Sequence, residues 1–205
     1  MARAQRKRRN VDTWKKKAWY DILAPKAFGE AKIGETVSSD PAIIKGRVIK
    51  SSMMDITGDY SKQHIKMEFK LGNADGNKIH TEFVGQSLSR DYMRSQIRRK
   101  STRVEAVIDI KTKDGHTLRV KSIAMAMGRA QAAQEGAIRK IMADIITKRA
   151  ANMDLEQFIN EVIKGRLSAE IYRGAGKIYS LKRVEIRKVR VLEREKIRSK
   201  ELTQQ

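Results

Sequence analysis

The sequence of 205 residues contains no cysteine, which excludes disulfide scaffolds, zinc ribbons, iron–sulfur clusters and thiol catalysis. Only three histidines are present, so few side chains remain for metal binding or acid–base chemistry. No apolar run approaches the length of about 18 residues that a membrane-spanning helix needs. The two prolines are too few to mark a linker, and no phosphate-binding or dinucleotide-binding glycine motif is present. We therefore expect no cofactor, no metal site, no membrane association and no small-molecule substrate.

Positive charge is the feature that dominates what is present. The chain carries 45 lysines and arginines against 24 acidic residues, for a formal net charge of +21 at pH 7 and a pI near 10.3. Three segments, 1–26, 86–100 and 177–200, supply +18 of this charge, whereas 27–85 is neutral. A charge that served only solubility would be spread over the surface. Its concentration indicates an electrostatic contact with a polyanion such as nucleic acid.

Apolar periodicity predicts strands in the first two thirds of the chain. Residues alternate between apolar and polar over 64–71 and, except at Val107, over 104–110, and the second return strand is apolar on both faces near its end. An Asp-Gly turn and a returning strand follow each stretch, over residues up to 83 and up to 127, which is typical of a β-hairpin. A further strand is predicted over 42–49. Between the hairpins, Ser89 is a candidate N-cap for a short helix over Arg90–Lys100.

The period changes to that of a helix after Gly128 and returns to that of a strand from Lys177. The phase of the late strand slips between Ile186 and Val189, which indicates a bulge or a bend. Its apolar residues need a sheet partner, so we expect this strand to rejoin the earlier ones.

These patterns predict an α+β fold with an antiparallel β-barrel-like core, inserted helices and a basic extended N-terminal arm. The expected organisation is an arm and anchor over 1–26, one globular domain over 27–192 and a charged C-terminal tail over 193–205. Within the domain we expect a β-rich part, a helical part and a returning strand, over 42–127, 129–175 and 178–192. The arm should be disordered until it binds a partner.

One basic segment interleaves lysines with aromatic residues and reads Trp14-Lys-Lys-Lys-Ala-Trp19-Tyr20. Aromatic rings can stack on unpaired bases while lysines neutralise phosphates, which favours contact with RNA. The alternative is that Trp19 and Tyr20 anchor the segment to the hydrophobic core. Both interpretations are open at this point.

The predicted helix after Ser89 places Arg90, Arg94 and Arg98 on one face, because residues four apart are neighbours on a helix. Such a ridge matches phosphates along a nucleic-acid backbone and can also contact carboxylates of a neighbouring protein. We favour RNA as its partner.

Two rival functions are considered. Asp55, Asp59, Asp109 and Asp114 are the best carboxylates for a metal site, and an RNA-processing enzyme would use Asp109 or Asp55. Asp59 and Asp114 stand beside turn residues, where aspartate is favoured for local hydrogen bonding, and the histidines fall on or beside the hairpins and away from any nucleophile motif. The second rival is a protein that compacts nucleic acid without sequence preference. We expect neither, and we expect no enzymatic activity.

Four motifs carry a resemblance to a known family, and they occur in that family's order. They read Lys16-Lys17-Ala-Trp19-Tyr20-Asp-Ile-Leu-Ala24-Pro25-Lys-Ala-Phe28, Lys45-Gly46-Arg47-Val48, Leu88-Ser89-Arg90-Asp91 and Asp109-Ile-Lys-Thr-Lys-Asp114-Gly115. With them the sequence resembles the S3Ae family of archaeal and eukaryotic small-subunit ribosomal proteins, over residues 14–192 and in its archaeal form. The first motif is long and specific.

The resemblance implies a non-catalytic protein of the cytoplasmic small ribosomal subunit, located on the platform near the 3′ end of the ribosomal RNA and the messenger exit. The implied partners are small-subunit ribosomal RNA, neighbouring ribosomal proteins and messenger RNA near the exit. The family implies a location more than base contacts, so the choice of residues rests on charge and spacing. The candidate RNA-binding residues are Arg3, Arg6, Lys7, Arg8, Arg9, Trp14, Lys15, Lys16, Lys17, Trp19, Lys45, Arg47, Arg90, Arg94, Arg98, Arg99, Lys100, Arg183, Arg187, Lys188 and Arg190.

Overall fold

The structure is a computed structural model and describes residues 13–193. The α-helices are α1 (Met53–Thr57), α2 (Arg90–Gln96), α3 (Ala132–Ala151), α4 (Leu155–Ile163) and α5 (Arg166–Ala175). The strands are β1 (Ala18–Leu23), β2 (Lys32–Ser38), β3 (Val48–Ser52), β4 (Ile65–Asp75), β5 (Lys78–Leu88), β6 (Arg103–Lys111), β7 (Thr117–Ala126) and β8 (Leu181–Glu193). Short 3₁₀ turns occupy Thr13–Lys16, Lys26–Phe28, Pro41–Ile43 and Tyr60–Lys62. The α+β class predicted from periodicity is confirmed, and the predicted basic arm over its first twelve residues lies outside the described residues.

The sheet has the strand order β2-β1-β5-β8-β7-β6, with β4 paired to both β3 and β5. The prediction of an antiparallel barrel-like core is wrong in two respects. Within residues 13–193 the sheet is not closed, because β2 and β6 end the order without pairing with each other. It is also mixed, because β1 runs parallel to β5 over the pairs Asp21–Lys78 to Leu23–His80.

The chain divides into two compact units. One contains the residues up to Ile49 together with Phe69–Phe83, and the other contains Lys50–Glu68 and the residues from Val84 onward. Strands β4 and β5 each contribute to both units.

In the first unit, β1 pairs with β2 and buries alternate residues. Tyr20 and Ile22 join Ile44, Leu71 and Ile79 in one hydrophobic cluster. The Thr81 hydroxyl donates to the carbonyl of Leu23 over 2.8 Å, which ties β1 to β5 beyond their short ladder. A strand of only six residues is thereby held by pairing on both of its edges and by burial on one face.

In the second unit, β6, β7 and β8 form an antiparallel ladder whose one face carries the larger hydrophobic core. Val120 and Val184 from the sheet pack in this cluster with Ile138, Phe158 and Ile171 from helices α3, α4 and α5. Helices therefore cover the apolar face of this part of the sheet, and burial of that face does not require the sheet to close on itself. In the sequence, helices α3, α4 and α5 lie between β7 and β8, as predicted.

The predicted bulge in the late strand is confirmed. Lys121 pairs with Lys188 whereas the next residue, Ser122, pairs with Ile186, so Arg187 is the extra residue on β8. The extra residue restores the alternation, because Ile186 and Val189 both reach the hydrophobic core. The expectation that this strand rejoins the earlier ones is also confirmed, since β8 lies between β5 and β7.

The strand predicted over 42–49 is wrong in its bounds. Pro41 begins a 3₁₀ turn instead, and Gly46 adopts a φ of 88°, a left-handed conformation that a continuous strand does not allow. The strand begins only at Val48. The strand was predicted from its apolar residues alone, but one of them, Ile44, is buried although it lies in the turn and not in a strand.

The helix predicted over Arg90–Lys100 is too long, because α2 ends at Gln96 and Ile97 is extended with a ψ of 126°. Met93 is the residue that α2 buries, and the arginines after Gln96 bring no apolar side chain that packing could stabilise as a further turn. The three-arginine ridge is therefore not formed, since Arg98 lies beyond the helix.

Among the described helices, none combines the length and the apolar composition needed to cross a bilayer.

Candidate nucleic-acid interface

The segment with interleaved aromatics and lysines separates into one anchoring ring and two exposed rings. Tyr20 is 8% exposed and belongs to the core of the first unit, whereas Trp14 and Trp19 are 62% and 60% exposed. Strand alternation explains the contrast between Trp19 and Tyr20, because successive side chains point to opposite faces. The anchor is therefore Tyr20, and Trp19 presents its ring to solvent.

The lysines of this segment lie beside the exposed rings. Lys15, Lys16 and Lys17 are all exposed, and Lys17 Nζ is 4.5 Å from the centroid of the Trp14 ring. This cation–π contact keeps a positive charge next to an accessible aromatic face. Such a pair can contact a phosphate and the base attached to it together.

Two more candidates, Lys45 and Arg47, lie in the loop before β3 and are exposed. Arg47 Nη1 donates to Thr36 Oγ1 over 3.3 Å, a neutral acceptor that leaves its charge uncompensated by that contact. Lys32 in the same unit is different. Its Nζ lies 2.8 Å from Asp21 and 2.6 Å from Glu35, and hydrogen bonds to these carboxylates raise its pKa to about 12.

Helix α2 and the loop after it carry the second group of candidates. Arg90 and Arg94 are exposed on the helix, and Arg98, Arg99 and Lys100 are exposed in the loop. Lys100 has a φ of 63°, so the chain reverses at the end of this basic stretch. The structure thus presents these five charges on a helix and a turn.

An aromatic and ionic cluster holds α2 against the second unit's sheet. The rings of His64 and Tyr92 stack with centroids 4.1 Å apart, and the Tyr92 hydroxyl donates to Glu185 over 3.3 Å. Arg183 donates from Nε to the same carboxylate over 2.9 Å, and its guanidinium lies 5.4 Å from the Tyr92 ring centroid. Burial lowers the pKa of His64 below its ordinary value, against the opposing effect of Glu185, and burial raises the pKa of Tyr92.

The face of β6, β7 and β8 that points away from helices α3, α4 and α5 carries many charged side chains, next to the buried Ile123 and Met125 of β7. Part of this charge is neutralised within the face. Glu105 lies 3.3 Å from Arg103 Nε and 3.2 Å from Arg187 Nη1, and Arg183 is paired with Glu185. Of the predicted C-terminal candidates, Arg183 and Arg187 therefore each have a carboxylate partner.

The remaining two candidates on β8, Lys188 and Arg190, lie next to two basic residues that sequence reasoning missed. Lys121 is directly opposite Lys188, and Arg119 is directly opposite Arg190. We call these four residues the sheet-face cluster. Arg119 donates from Nε and Nη2 to Asp109 over 2.7 Å each, which raises the pKa of Arg119 and lowers that of Asp109. The alternation of β7 placed Arg119 and Lys121 on one face, but only the pairing with β8 reveals the cluster.

The four aspartates considered as metal ligands each have a partner in the local structure. Asp55 accepts from the Ser52 backbone in a capping box, and Asp59 accepts from Ser61 N. The Ser61 hydrogen bond and Lys62 lower the pKa of Asp59. The other two are Asp109, which binds Arg119, and Asp114, which accepts from Leu155 N over 3.0 Å at the start of α4. Helix capping, turn formation and ion pairing thus account for all four.

Comparison with known proteins agrees with this description. The profile of the Ribosomal S3Ae family matches residues 5–195. "Small ribosomal subunit protein eS1" of Sulfolobus acidocaldarius is 47% identical over 187 residues, which cover 91% of this chain and 95% of the relative. The proteins of the same name from Methanothrix thermoacetophila and Desulfurococcus amylolyticus are each 42% identical, over 92% and 88% of this chain and 90% and 85% of their own lengths. The chain therefore belongs to the Ribosomal S3Ae family.

Proposed function

We propose that the protein is a structural constituent of the small ribosomal subunit that binds its ribosomal RNA. The observation that carries the proposal is membership of the family over nearly the whole chain, with relatives that are named as proteins of this subunit. The net charge of +21 supports it, because a polyanionic partner compensates the self-repulsion of so basic a chain.

The mechanism is mainly electrostatic. Lysines and arginines displace counterions from the phosphate backbone and allow RNA helices to approach one another closely. The described candidates support this mechanism by their accessibility, since all are exposed except Lys188, which is half-buried. Trp14 and Trp19 add a contact of another kind, because exposed rings beside lysines can stack on unpaired bases.

Three basic regions of the chain contact the RNA. The first is the N-terminal segment, including Arg3, Arg6, Lys7, Arg8 and Arg9, which lie outside the described residues. The second is α2 with the loop after it, and the third is the basic part of β8. Lys45 and Arg47 supply an additional contact from the first unit. The chain does not catalyse a reaction. Each of the four candidate aspartates accepts a hydrogen bond from another residue of this chain, which supports a structural role for them.

Within the cytoplasmic small subunit the protein lies on the platform, near the 3′ end of the ribosomal RNA and the messenger exit. Neighbouring ribosomal proteins contact it there, and messenger RNA passes close to it. This placement follows from the resemblance carried by the Trp19 to Phe28 motif. In this position the protein supports assembly of the subunit and translation.

Competition binding tests the proposal against both rival functions. The full chain is bound to structured small-subunit RNA and challenged with duplex DNA at physiological salt. The expected result is a clear preference for the RNA, whereas equal affinity would indicate non-specific compaction. Turnover of RNA that depends on a divalent metal and is lost in Asp109→Ala or Asp55→Ala would instead establish the enzyme.

A further inference from the structure

We propose that the sheet-face cluster binds backbone phosphates of double-helical RNA. The inference rests on the proposed function and deepens it by assigning a contact to residues of β7, which lies outside the three strongly basic segments of the sequence. It also separates this contact from the exposed tryptophans, which suit unpaired nucleotides.

The bulge at Arg187 brings the cluster together. Without the extra residue, the alternation of β8 would turn Lys188 and Arg190 toward the hydrophobic core and Val189 toward solvent. With it, Lys188 and Arg190 stand on the same face as Arg119 and Lys121, because directly paired residues of an antiparallel ladder share a face. The Cα atoms of these four residues therefore lie within about 5–7 Å of their neighbours, as strand spacing dictates.

The charges of the cluster are only partly compensated. Asp109 binds Arg119 with both oxygens, and it uses two of the five donors of the guanidinium. Lys121, Lys188 and Arg190 have no ion pair with any side chain that the structure describes, which are those of residues 14–192. Like charges placed directly opposite each other destabilise a sheet, so the free protein pays for this arrangement in stability. An anion that bridges the two strands would remove that cost.

The composition of the face favours a nucleic-acid backbone over an acidic protein. The cores of protein interfaces are depleted in charged residues and especially in lysine, whereas aromatic residues, methionine and arginine are enriched in protein interfaces. Here two lysines and two arginines stand together, and the large exposed apolar residues described on these strands are Val107 on β6 and Leu192 on β8. Lysine, in contrast, is a common phosphate ligand that acts as a point charge.

The same strands favour helical RNA over unpaired RNA. Recognition of single strands uses aromatic platforms for base stacking, and β6, β7 and β8 contain no aromatic residue over their described lengths. Double-helical RNA is recognised by its shape and through phosphate and ribose contacts, which the basic side chains of a sheet face can supply.

A pair of charge-matched double variants of the full chain tests the proposal. Lys121→Gln with Lys188→Gln removes two charges from the sheet-face cluster, and Lys140→Gln with Lys148→Gln removes two exposed charges from α3, which packs on the opposite face of the sheet. The probe is a short blunt RNA duplex, titrated over a range of salt concentrations. For the sheet-face pair we expect the slope of log affinity against log salt to fall by about two and the affinity near physiological salt to fall at least about tenfold.

The thermal midpoint of the free protein gives a second, independent readout. Removal of opposed like charges should raise the midpoint of the sheet-face pair at low salt, and the α3 pair should not show this rise. A charge-conserving variant, Lys121→Arg with Lys188→Arg, should keep duplex binding. If the Lys121→Gln, Lys188→Gln variant loses duplex binding while its thermal midpoint rises, the variant is folded and has lost a contact with RNA.

Equal effects of the two glutamine pairs on duplex binding would overturn the proposal. So would a sheet-face pair that binds the duplex normally but no longer joins small subunits, because the contact would then be with a protein. These failures differ from failure of the proposed function, in which the wild-type chain itself does not prefer small-subunit RNA to DNA.

Discussion

At the residue scale, Asp114 links two elements that are far apart in the sequence. Its carboxylate, in the turn between β6 and β7, accepts a hydrogen bond from Leu155 N over 3.0 Å, and the N-cap residue Asp154 makes no side-chain capping bond. Substitution Asp114→Ala should lower the free energy of unfolding by about 1 kcal/mol, the usual cost of losing a helix cap. Urea denaturation measures this loss, and Asp114→Asn should recover much of it.

The control for that prediction is Asp144→Ala, which removes an exposed carboxylate from α3. Surface substitutions of this kind change stability by no more than about 0.5 kcal/mol. Equal denaturation midpoints for Asp114→Ala and Asp144→Ala would show that the Asp114 cap does not stabilise α4.

A second residue-scale prediction concerns His64, whose ring stacks on Tyr92 near Arg183 and Glu185. Burial lowers its pKa in the folded state, so the unfolded chain binds the proton first as the pH falls. The stability that His64 contributes is therefore present above the unfolded pKa of about 6.5 and is lost as the pH falls through the lower, folded pKa. The thermal midpoint of the wild type should fall between pH 7 and pH 5 more steeply than that of His64→Gln. Parallel pH profiles of the two proteins would show that protonation of His64 does not affect stability.

At the scale of elements, β1 places two neighbouring rings in opposite environments. Trp19→Ala should weaken binding to single-stranded RNA by about tenfold, as expected for one lost base-stacking contact, and leave the folding stability nearly unchanged. Tyr20→Ala should instead cost about 3 kcal/mol of stability, because it removes a buried ring from the core of the first unit. Fluorescence titration and denaturation of both variants measure the contrast. Destabilisation by Trp19→Ala comparable to that of Tyr20→Ala would show that Trp19 is also an anchor.

Elements with strong periodicity could be predicted from the sequence, and those governed by local backbone geometry could not. The two hairpins, the helices after Gly128 and the bulge before Val189 follow from burial on one face, which leaves a regular apolar pattern. The short α2 and the turn at Gly46 depend on where packing ends and where φ becomes positive. The arginines after α2 and the isoleucines before Gly46 do not indicate where packing ends or where φ becomes positive.

At the scale of the whole molecule, the sequence predicted the α+β class and the basic regions, but not the open, mixed sheet or the full set of basic neighbours. Closure of a sheet and the parallel pairing of β1 with β5 depend on contacts between distant segments. The same is true of Arg119 and Lys121, because their significance comes from residues about 70 positions later on β8. The distribution of charge along the sequence identifies basic segments, but strand pairing is needed to identify a basic surface formed by residues of two strands.

A prediction at this scale concerns the N-terminal charges. Deletion of residues 1–11 removes Arg3, Arg6, Lys7, Arg8 and Arg9. The slope of log affinity against log salt for RNA should fall by up to about four, and the thermal midpoint should stay nearly the same. Salt titrations and thermal denaturation of the truncated and full chains test this together. A large loss of folding stability would mean that the arm is part of the core.

As a whole, the protein should behave as an integral constituent of the small ribosomal subunit. Sedimentation of the tagged full chain with ribosomal fractions, repeated after a high-salt wash, tests this. The chain should sediment with the small subunit and remain there after the wash, because contacts enclosed between folded RNA and neighbouring proteins are screened by salt much less than exposed ones. Release by the wash, or an even distribution over all fractions that contain RNA, would show that the chain is not an integral part of the small subunit.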